Sequence, residues 1–229
     1  MEVILATGIE GARNARGVAV VIDVIRSFTV SAYALAGGAR ECLLVTTVGE
    51  ALALAAQIPG SLVSAEEGTL PVPGIPISNS PTQIQSADVK GRVLIQRSSA
   101  GTQAMAALPP NEGMYAASLV VASATVQACL LRRPATLTLI ASADHPEDHA
   151  CARYMQGLLR GERPDIDRLL QPLRESERFA RASAGGWPGF PATDLELSLA
   201  TDRFAFAMPA TRHDTYLRLT AETPVPAKT

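Results

Sequence analysis

Residues 18–29 read VAVVIDVIRSFT, and this stretch decides the fold class. Its first five residues are apolar and mostly β-branched, a composition typical of a strand that is covered on both faces. Polar residues follow at once, beginning with Asp23, and an alanine-rich stretch with helical character comes next. A buried strand that leads directly into a helix is the building unit of an α/β fold.

The rest of the chain repeats this alternation of short apolar runs and longer helix-forming stretches. The predicted strands are Val18–Asp23, Cys42–Thr46, Ser61–Ala65, Arg92–Arg97, Met114–Leu119, Ala135–Ala141 and Phe204–Met208. The predicted helices are Ser27–Ala36, Val48–Ile58, Gly101–Leu108, Ser123–Arg132, Pro146–Arg160, Asp165–Ala182 and Thr193–Ala200. Strands separated by helices favour parallel pairing, so the pattern predicts a layered α/β/α fold with a largely parallel or mixed central sheet.

A single α/β domain over residues 1–212 accounts for this pattern, and residues 213–229 are expected to form a C-terminal tail. Residues 66–90 stand out as a long irregular piece with several prolines and few periodic apolar residues. A loop of this length inside a compact domain is either functional or a simple surface excursion.

The composition excludes several classes of protein. The 229 residues are 47% hydrophobic, and 20 basic residues against 22 acidic ones give a formal net charge of −2. No Lys/Arg-rich run is present, so nucleic acid is not an expected partner. The uncharged residues 113–131 indicate a buried strand and a helix rather than a membrane span. Three separated cysteines without CxxC spacing, and an N-terminus unlike a signal peptide, lead us to expect a cytoplasmic protein.

Candidate ligand-binding residues lie where predicted strands end, because open α/β sheets bind ligands at the carboxyl ends of their strands. Asp23 would project from the end of the first strand, while Arg26 and Ser27 occupy the first turn of the following helix. An acid that can hold a divalent cation beside an arginine and helix-end amides suits a phosphate ester. The alternative is a helix cap with an ordinary surface arginine.

A second junction of this kind reads RSSAGT over residues 97–102. Ser98, Ser99, Gly101 and Thr102 can present hydroxyl groups and backbone amides to an anion. The alternative is a Ser/Thr helix cap with a glycine turn.

The irregular piece adds Glu66, directly after a predicted strand, and Asn79 with Ser80 in an Asn-Ser-Pro sequence. A carboxylate can hold a hard cation, and an amide beside a serine at a helix start can hold an anion. The alternative for Asn-Ser-Pro is a tight turn.

Residues 145–149 read HPEDH at the start of another predicted helix. Pro146 suits the first helical position and places Glu147 and Asp148 in the first turn, where acids interact favourably with the helix dipole. His145 and His149 have the i, i+4 spacing of some zinc ligands, although no third ligand has a recognisable spacing.

Taken in order, these segments resemble the 2-phosphosulfolactate phosphatase family. The family's Ile-Asp-Val-Leu-Arg-Ala-Thr-Thr motif is similar to residues 22–29, its Gly-Asn-Ser-Pro motif to residues 78–81, and its Thr-Thr-Asn-Gly-Thr motif to residues 98–102. A Glu-Asp pair followed by Cys-Ala-Gly is similar to residues 147–153. The segment from residue 193 to residue 209 is similar to the family's C-terminal helix and strand.

The resemblance implies a magnesium-dependent α/β phosphatase that hydrolyses phosphate esters of 2-hydroxycarboxylic acids, with 2-phosphosulfolactate as the named substrate. It implies catalytic roles for Asp23, Arg26, Glu147 and Asp148, and metal binding by Asp23, Glu66 and Asp148. It implies substrate binding by Asn79, Gly101 and Thr102, to which the strand-end argument adds Ser27, Ser80, Ser98 and Ser99. The implied cofactor is Mg²⁺ and the expected partner is a small anionic metabolite. The composition argues against nucleic acid and membrane partners, and whether the chain forms a homo-oligomer stays open. Which acid binds the metal and which acts as the base stays open.

Three positions depart from the family's motifs. Glu67 stands where the family has an arginine after the third strand, Ala100 stands where it has an asparagine, and Ser78 stands where it has a glycine. An acid at a desolvated position would repel an anionic substrate, whereas an exposed one would have little effect. Two hypotheses therefore stand beside the phosphatase: a divergent homologue that binds an anionic metabolite without turnover, and a zinc hydrolase that uses His145 and His149.

Overall fold

Strands and helices alternate along the computed structural model, which describes residues 1–225. The strands are β1 (Glu2–Thr7), β2 (Val18–Ile22), β3 (Glu41–Val45), β4 (Leu62–Glu67), β5 (Leu70–Pro71), β6 (Val93–Arg97), β7 (Gly113–Ala117), β8 (Thr136–Ala141), β9 (Met208–Arg212) and β10 (Leu217–Leu219). The helices are α1 (Gly8–Arg13), α2 (Ser27–Ala36), α3 (Val48–Gln57), α4 (Pro81–Ser86), α5 (Gly101–Ala106), α6 (Ala122–Arg132), α7 (Pro146–Leu159), α8 (Ile166–Leu169), α9 (Gln171–Arg174), α10 (Glu177–Ser183) and α11 (Thr193–Leu199). This architecture confirms the predicted α/β class.

The described strands join one sheet in the order β1-β8-β2-β7-β9-β10-β3-β6-β4-β5. Two blocks of parallel strands, β1-β8-β2-β7 and β3-β6-β4, are joined by the antiparallel hairpin β9-β10. The prediction of a largely parallel or mixed central sheet is therefore confirmed.

Strand β2 lies inside the first block and pairs in parallel with β7 on one side and β8 on the other. Val18, Val20 and Ile22 belong to one hydrophobic cluster, while Ala19 and Val21 belong to another. Because successive side chains of a strand point to opposite faces, both faces of β2 are covered, which explains why the strand contains no polar residue.

Helix α2 is buried along almost its whole length, from Ser27 to Leu35. It contacts β7 of the first block and β3 and β6 of the second block. Helix α2 therefore lies between the two blocks, and the carboxyl ends of β2 and β6 meet near its first turn, where the Gln96 side chain donates to the Ser27 carbonyl oxygen at 2.7 Å.

The strand register places residues of the site next to each other at the carboxyl ends of neighbouring strands. Ile22 pairs with Ala141 of β8, so the residues that follow, Asp23 and Ser142, lie next to each other where the strands end. In the second block Ala65 pairs with Arg97, which brings Glu66 beside the turn that follows β6.

Two predicted elements differ from the structure. The predicted strand at 204–208 is wrong because β9 begins at Met208, preceded only by an isolated bridge from Ala207 to Glu222, and the ring of Phe204 instead packs edge-on against Tyr33 at 5.0 Å. The predicted helix at 165–182 is three short helices. Pro172 lacks the N–H that a continuous helix requires, and the Ser176 side chain caps a new helix by accepting from Phe179 N.

Some elements were absent from the prediction. Strand β1 and helix α1 precede the opening stretch, and the irregular piece 66–90 contains α4, which begins at Pro81. The predicted tail contributes β10, which pairs with both β9 and β3 inside the sheet. Residues 226–229 of that tail lie outside the described residues.

Among residues 1–225, no helix is long and apolar enough to cross a membrane. The cysteines Cys42, Cys129 and Cys151 are buried and free.

Candidate active site

Asp23 is the central acid of the site. It follows β2 and is 5% exposed. Its Oδ1 accepts a hydrogen bond from Ser27 N at 2.9 Å, and its Oδ2 accepts one from the Ser142 hydroxyl at 3.2 Å. Burial raises the pKa of Asp23 to about 6, while the hydrogen bonds from Ser27 and Ser142 act in the opposite direction. The ionised form is therefore costly unless a cation or a further donor compensates it.

Ser142 joins Asp23 to a second buried acid, Asp148. Asp148 Oδ1 accepts from Val24 N at 2.8 Å, and its Oδ2 lies 3.1 Å from the Ser142 hydroxyl oxygen. Burial, followed by the nearby charge of Asp23, raises the pKa of Asp148 well above its ordinary value. A hydroxyl group has one hydrogen, so it can donate to only one of the two carboxylates at a time. One of the two Oδ2 oxygens therefore lacks this donor, and a shared proton or a cation can satisfy it.

Glu66 occupies the facing strand end in the second block. Its Oε1 accepts from Ser99 N at 2.5 Å, and its Oε2 accepts from Thr69 N at 2.7 Å and from the Ser99 hydroxyl at 3.0 Å. These contacts tie the loop after β4 to the turn after β6 and hold the Glu66 carboxylate in one position at the cavity.

Gln96 connects Ser27 with Asn79. Its buried side-chain amide donates to Asn79 Oδ1 at 3.2 Å as well as to Ser27, and its Oε1 accepts from the Ser31 hydroxyl at 2.5 Å. The Asn79 amide oxygen is thus occupied, which orients the amide nitrogen of Asn79 as the group available for a ligand.

Three of the predicted substrate-binding residues make internal contacts. Ser98 and Thr102 cap one another, with Thr102 N donating to Ser98 Oγ at 3.0 Å and Ser98 N donating to Thr102 Oγ1 at 2.9 Å. Ser80 caps α4 and donates to Asp194 Oδ1 at 2.9 Å. None of the three lines the cavity described below.

Gly101 lies where a side chain cannot be accommodated. A Cβ atom at this position would lie 2.7 Å from Asp23 Oδ2 and 3.0 Å from the Ser27 side chain. The close approach allows the backbone at the start of α5 to pack directly against the Asp23 carboxylate.

Arg26 is held from three sides. Its Nη1 donates to Asp194 Oδ2 at 2.6 Å and to the Gly189 carbonyl oxygen at 2.8 Å. Its guanidinium carbon lies 4.3 Å from the centre of the Phe190 ring. The Arg26 and Asp194 side chains are almost fully buried, so this ion pair fixes the cation in place rather than leaving it mobile.

Arg178 is a second cation at the site. It donates to Glu147 Oε1 at 3.1 Å, and Glu147 is fully buried. The guanidinium also lies 5.5 Å from the centre of a Trp187 ring. Burial, followed by the charge of Arg178, lowers the pKa of the neighbouring His145.

These residues surround a cavity of about 140 Å³, large enough for several water molecules. Its lining residues are Asp23, Ile25, Arg26, Glu66, Thr69, Asn79, Ser99, Ala100, Ser142, His145, Arg178, Trp187 and Phe190. We call the strand-end residues of this set, together with Ser27 and Gly101, the rim. We call residues 166–199, which carry Arg178, Trp187, Phe190 and Asp194, the cover.

The predicted acids occupy different places around the cavity. Asp23 and Glu66 line it, whereas Asp148 lies behind Ser142, and Glu147 lies behind Arg178. Glu67 does not line the cavity. Its side chain is 60% exposed and faces Arg97 at 3.9 Å, so the charge reversal at this position adds no acid to the cavity.

The zinc hypothesis finds no support in the geometry. His149 pairs with the exposed Asp144 at 2.8 Å, whereas His145 lines the cavity. Throughout residues 1–225, no three His, Cys, Asp or Glu side chains are grouped as a protein-only metal site would require.

Several residues of the site were missed from the sequence. Ser142 directly follows β8 and lies level with Asp23, so the rule that ligands bind at strand ends could have identified it. Arg178, Trp187, Phe190 and Asp194 gave no such signal, because they come from a helical segment that reaches the site only through tertiary packing.

Comparison with known proteins identifies the family of the chain. The family model described as 2-phosphosulpholactate phosphatase matches residues 5–180. A Bacillus subtilis protein is 34% identical over 147 residues, which cover 62% of this chain and 64% of the relative. A Carboxydothermus hydrogenoformans protein is 34% identical over 154 residues, which cover 66% of this chain and 64% of the relative.

A more complete alignment comes from Thermoplasma acidophilum, whose protein is 27% identical over 187 residues, covering 80% of this chain and 81% of the relative. All three relatives carry the name "Probable 2-phosphosulfolactate phosphatase". The chain spans just under two thirds of the length of the first two relatives.

Proposed function

The chain belongs to the 2-phosphosulpholactate phosphatase family, and from this premise we propose that it is a Mg²⁺-dependent phosphoric monoester hydrolase. Its proposed substrate is a small phosphate ester of a 2-hydroxycarboxylic acid or sulfo acid, of the 2-phosphosulfolactate type. The relatives' printed names support the reaction class, and the cavity's acids and arginines support an anionic ligand that binds together with a cation.

The observation that carries the proposal is the pair of buried carboxylates on Ser142. Asp23 Oδ2 and Asp148 Oδ2 both lie within hydrogen-bond distance of one hydroxyl oxygen. A divalent cation would satisfy the Oδ2 oxygen that the single hydroxyl hydrogen cannot serve. Mg²⁺ favours oxygen ligands, and it is commonly held by one or two carboxylates together with substrate phosphate oxygens.

Asp23 and Asp148 are therefore the residues that would hold the metal, and Glu66 contributes a third negative charge across the cavity. When bound, Mg²⁺ supplies Lewis-acid stabilisation of the phosphoryl oxygens and lowers the pKa of a water ligand. Without the metal, a shared proton would keep one member of the Asp23–Asp148 pair neutral.

The remaining residues of the rim bind and orient the ester. Arg26 is fixed by Asp194 and Phe190, so its charge can stabilise the phosphoryl oxygens without rearrangement during the reaction. The Asn79 amide nitrogen, oriented through Gln96, offers a neutral donor. The Phe190 and Trp187 rings cover part of the cavity and reduce its hydration, which strengthens these electrostatic contacts.

A phosphate-release assay with 2-phosphosulfolactate tests the proposal. We expect turnover by the wild-type protein in Mg²⁺, loss of turnover in EDTA, and a loss of about a hundredfold or more for Asp23→Asn. Asp144→Asn is the matched control, because this acid lies close to the site in sequence but its side chain is 92% exposed. Control activity should equal wild-type activity.

Two results would contradict the proposal. Turnover that persists in EDTA would show that hydrolysis does not depend on Mg²⁺. Calorimetric binding of 3-sulfolactate or inorganic phosphate, combined with no hydrolysis of the ester, would instead identify a binding protein without turnover.

A further inference from the structure

We propose that Arg178 recognises a second anionic group on the substrate, a carboxylate or a sulfonate next to the phosphate ester. The inference rests on the proposed phosphatase function and names the residue that binds the group by which such esters differ from simple phosphate monoesters. It assigns to Arg178 a specificity-determining contact rather than a step in the chemistry.

The two arginines that line the cavity differ in the hydrogen-bonding capacity that they have left. The Arg26 side chain is 4% exposed, and the partners already described hold it in place. The Arg178 side chain is 24% exposed. Its Nε and Nη2 both lie 3.1 Å from Glu147 Oε1, and Nη2 lies 3.4 Å from the Ile25 carbonyl oxygen. No acceptor among residues 1–225 bonds to its Nη1, so that nitrogen is available for a ligand.

Glu147 explains why Arg178 stays at the cavity wall. The Glu147 carboxylate is fully buried, and its second oxygen, Oε2, has no hydrogen-bond partner among the described residues. A buried carboxylate in this state depends on the charge of its cation, so moving Arg178 away would be costly. The Trp187 ring packs against the guanidinium and limits its orientation. Glu147 is therefore a positioning residue for Arg178.

A substrate with two anionic groups needs a second positively charged side chain in the cavity besides Arg26. Asp23 and Glu66 already place carboxylates at the cavity, and Arg26 stabilises the phosphoryl side. A carboxylate or sulfonate bound beside them needs its own counter-charge. The free Nη1 of Arg178 can donate a charge-assisted hydrogen bond to one oxygen of such a group. Arg178 is the remaining arginine that lines this cavity.

A comparison of two substrates distinguishes binding of the second anionic group by Arg178 from a general effect of Arg178 on activity. We compare 2-phosphosulfolactate, which has further anionic groups, with phenyl phosphate, which has none besides the phosphate. Arg178→Gln should raise KM for 2-phosphosulfolactate by about tenfold or more, the effect expected from the loss of a charge-assisted hydrogen bond. KM for phenyl phosphate should change by less than about twofold. An equal change for both substrates, or no change for either, would overturn the proposal.

Arg181→Gln is the matched control. Arg181 also lies against Trp187, at 5.2 Å, but it does not line the cavity, so both KM values should stay at the wild-type level. Arg178→Lys covers the case in which the glutamine variant does not fold, because lysine keeps a positive charge beside Glu147. Lysine has a single nitrogen, which would pair with Glu147 and leave no second donor like Nη1, so KM should still rise selectively for 2-phosphosulfolactate. A wild-type KM for this variant, or a rise shared by phenyl phosphate, would count against the proposal.

The role of Arg178 can be tested even if the protein is not a phosphatase. If the wild-type protein hydrolyses neither ester, calorimetry with 3-sulfolactate and with inorganic phosphate decides the role of Arg178. We then expect Arg178→Gln to weaken the binding of 3-sulfolactate by about tenfold while leaving phosphate binding unchanged. Equal weakening of both ligands, or of neither, would overturn the inference.

Discussion

The rim and the cover hold their charged groups in different ways. In the rim, Asp23 and Glu66 each accept a backbone N–H from the turn that follows them, at Ser27 and Thr69, and a further bond from the end of a neighbouring strand. In the cover, Asp194 binds an arginine that lies 168 residues earlier in the chain. The rim thus supplies acids held by the turns at adjacent strand ends, and the cover supplies the contacts that fix the cations. One site therefore combines a half built at the ends of the strands with a half added by the packing of a distant segment.

Breaking the Arg26–Asp194 ion pair between the rim and the cover should have the largest effect on stability. Asp194→Ala removes the carboxylate that binds Arg26, Ser80 and Thr82, and it leaves the arginine buried without its counter-charge. We expect a loss of about 3–5 kcal/mol in the free energy of unfolding, measured by urea denaturation.

The matched control for this ion pair is Asp167→Ala. Asp167 pairs with Arg174 at the same distance of 2.6 Å, but the two side chains are 73% and 47% exposed. Its removal should cost less than about 1 kcal/mol. Similar losses for Asp194→Ala and Asp167→Ala would show that the cover does not depend on the buried pair.

A substitution confined to the rim should lower catalytic activity more than it disturbs the packing of the cover. In Gly101→Ala, the new methyl group would displace the Asp23 carboxylate, because its Cβ would lie 2.7 Å from Asp23 Oδ2. We expect kcat/KM to fall by about a hundredfold and stability by about 1–3 kcal/mol. Gly49→Ala in α3 is the control, since the nearest atom to its Cβ is 3.9 Å away. Full activity in Gly101→Ala would argue against the close packing of the rim.

The raised pKa of Asp23 predicts how the rim responds to pH. The ordinary pKa is 3.8 and the value in the fold is about 6, so the folding cost of ionising Asp23 grows as pH rises from 3.8 to about 6. Asp23→Asn lacks this cost. In EDTA, the stability of Asp23→Asn relative to wild type should therefore increase between pH 4 and pH 7, by roughly 2–3 kcal/mol. A difference that is flat, or that decreases with pH, would show that Asp23 is not desolvated as described.

The smallest effect is expected at Glu67, which lies outside the rim. Glu67→Arg restores the residue type that the family's motif has at this position, but the exposed side chain does not line the cavity. We expect kcat/KM for 2-phosphosulfolactate to change by less than about twofold, because exposed charge pairs contribute little. Glu67→Gln separates loss of the acid from gain of the arginine. A tenfold gain for Glu67→Arg alone would mean that this position reaches the substrate.

Elements that depend on local sequence patterns were predicted more accurately than features that depend on tertiary packing. Helix α2 begins and ends at the predicted residues, and β2 ends one residue earlier than predicted, because apolar runs and helix starts are local patterns. The predicted helix at 165–182 is broken because tertiary packing and Pro172 outweigh its helical composition. The predicted acids Asp23 and Glu66 do line the cavity. The serines predicted beside them divide between cavity lining, by Ser99, and helix capping, by Ser98 and Ser80.

The sequence by itself determined the α/β class, the buried strand at residues 18–22 and the polar residues that follow strand ends, since these depend on residues that are neighbours in the chain. Only the tertiary structure decided which acid pairs with which arginine, and that Glu67 faces outward while Arg178 faces the cavity. The physical reason is that the energy of a charge depends on its burial and on partners within a few ångströms. Those partners come from distant parts of the chain, so their identity is set by packing and not by local pattern.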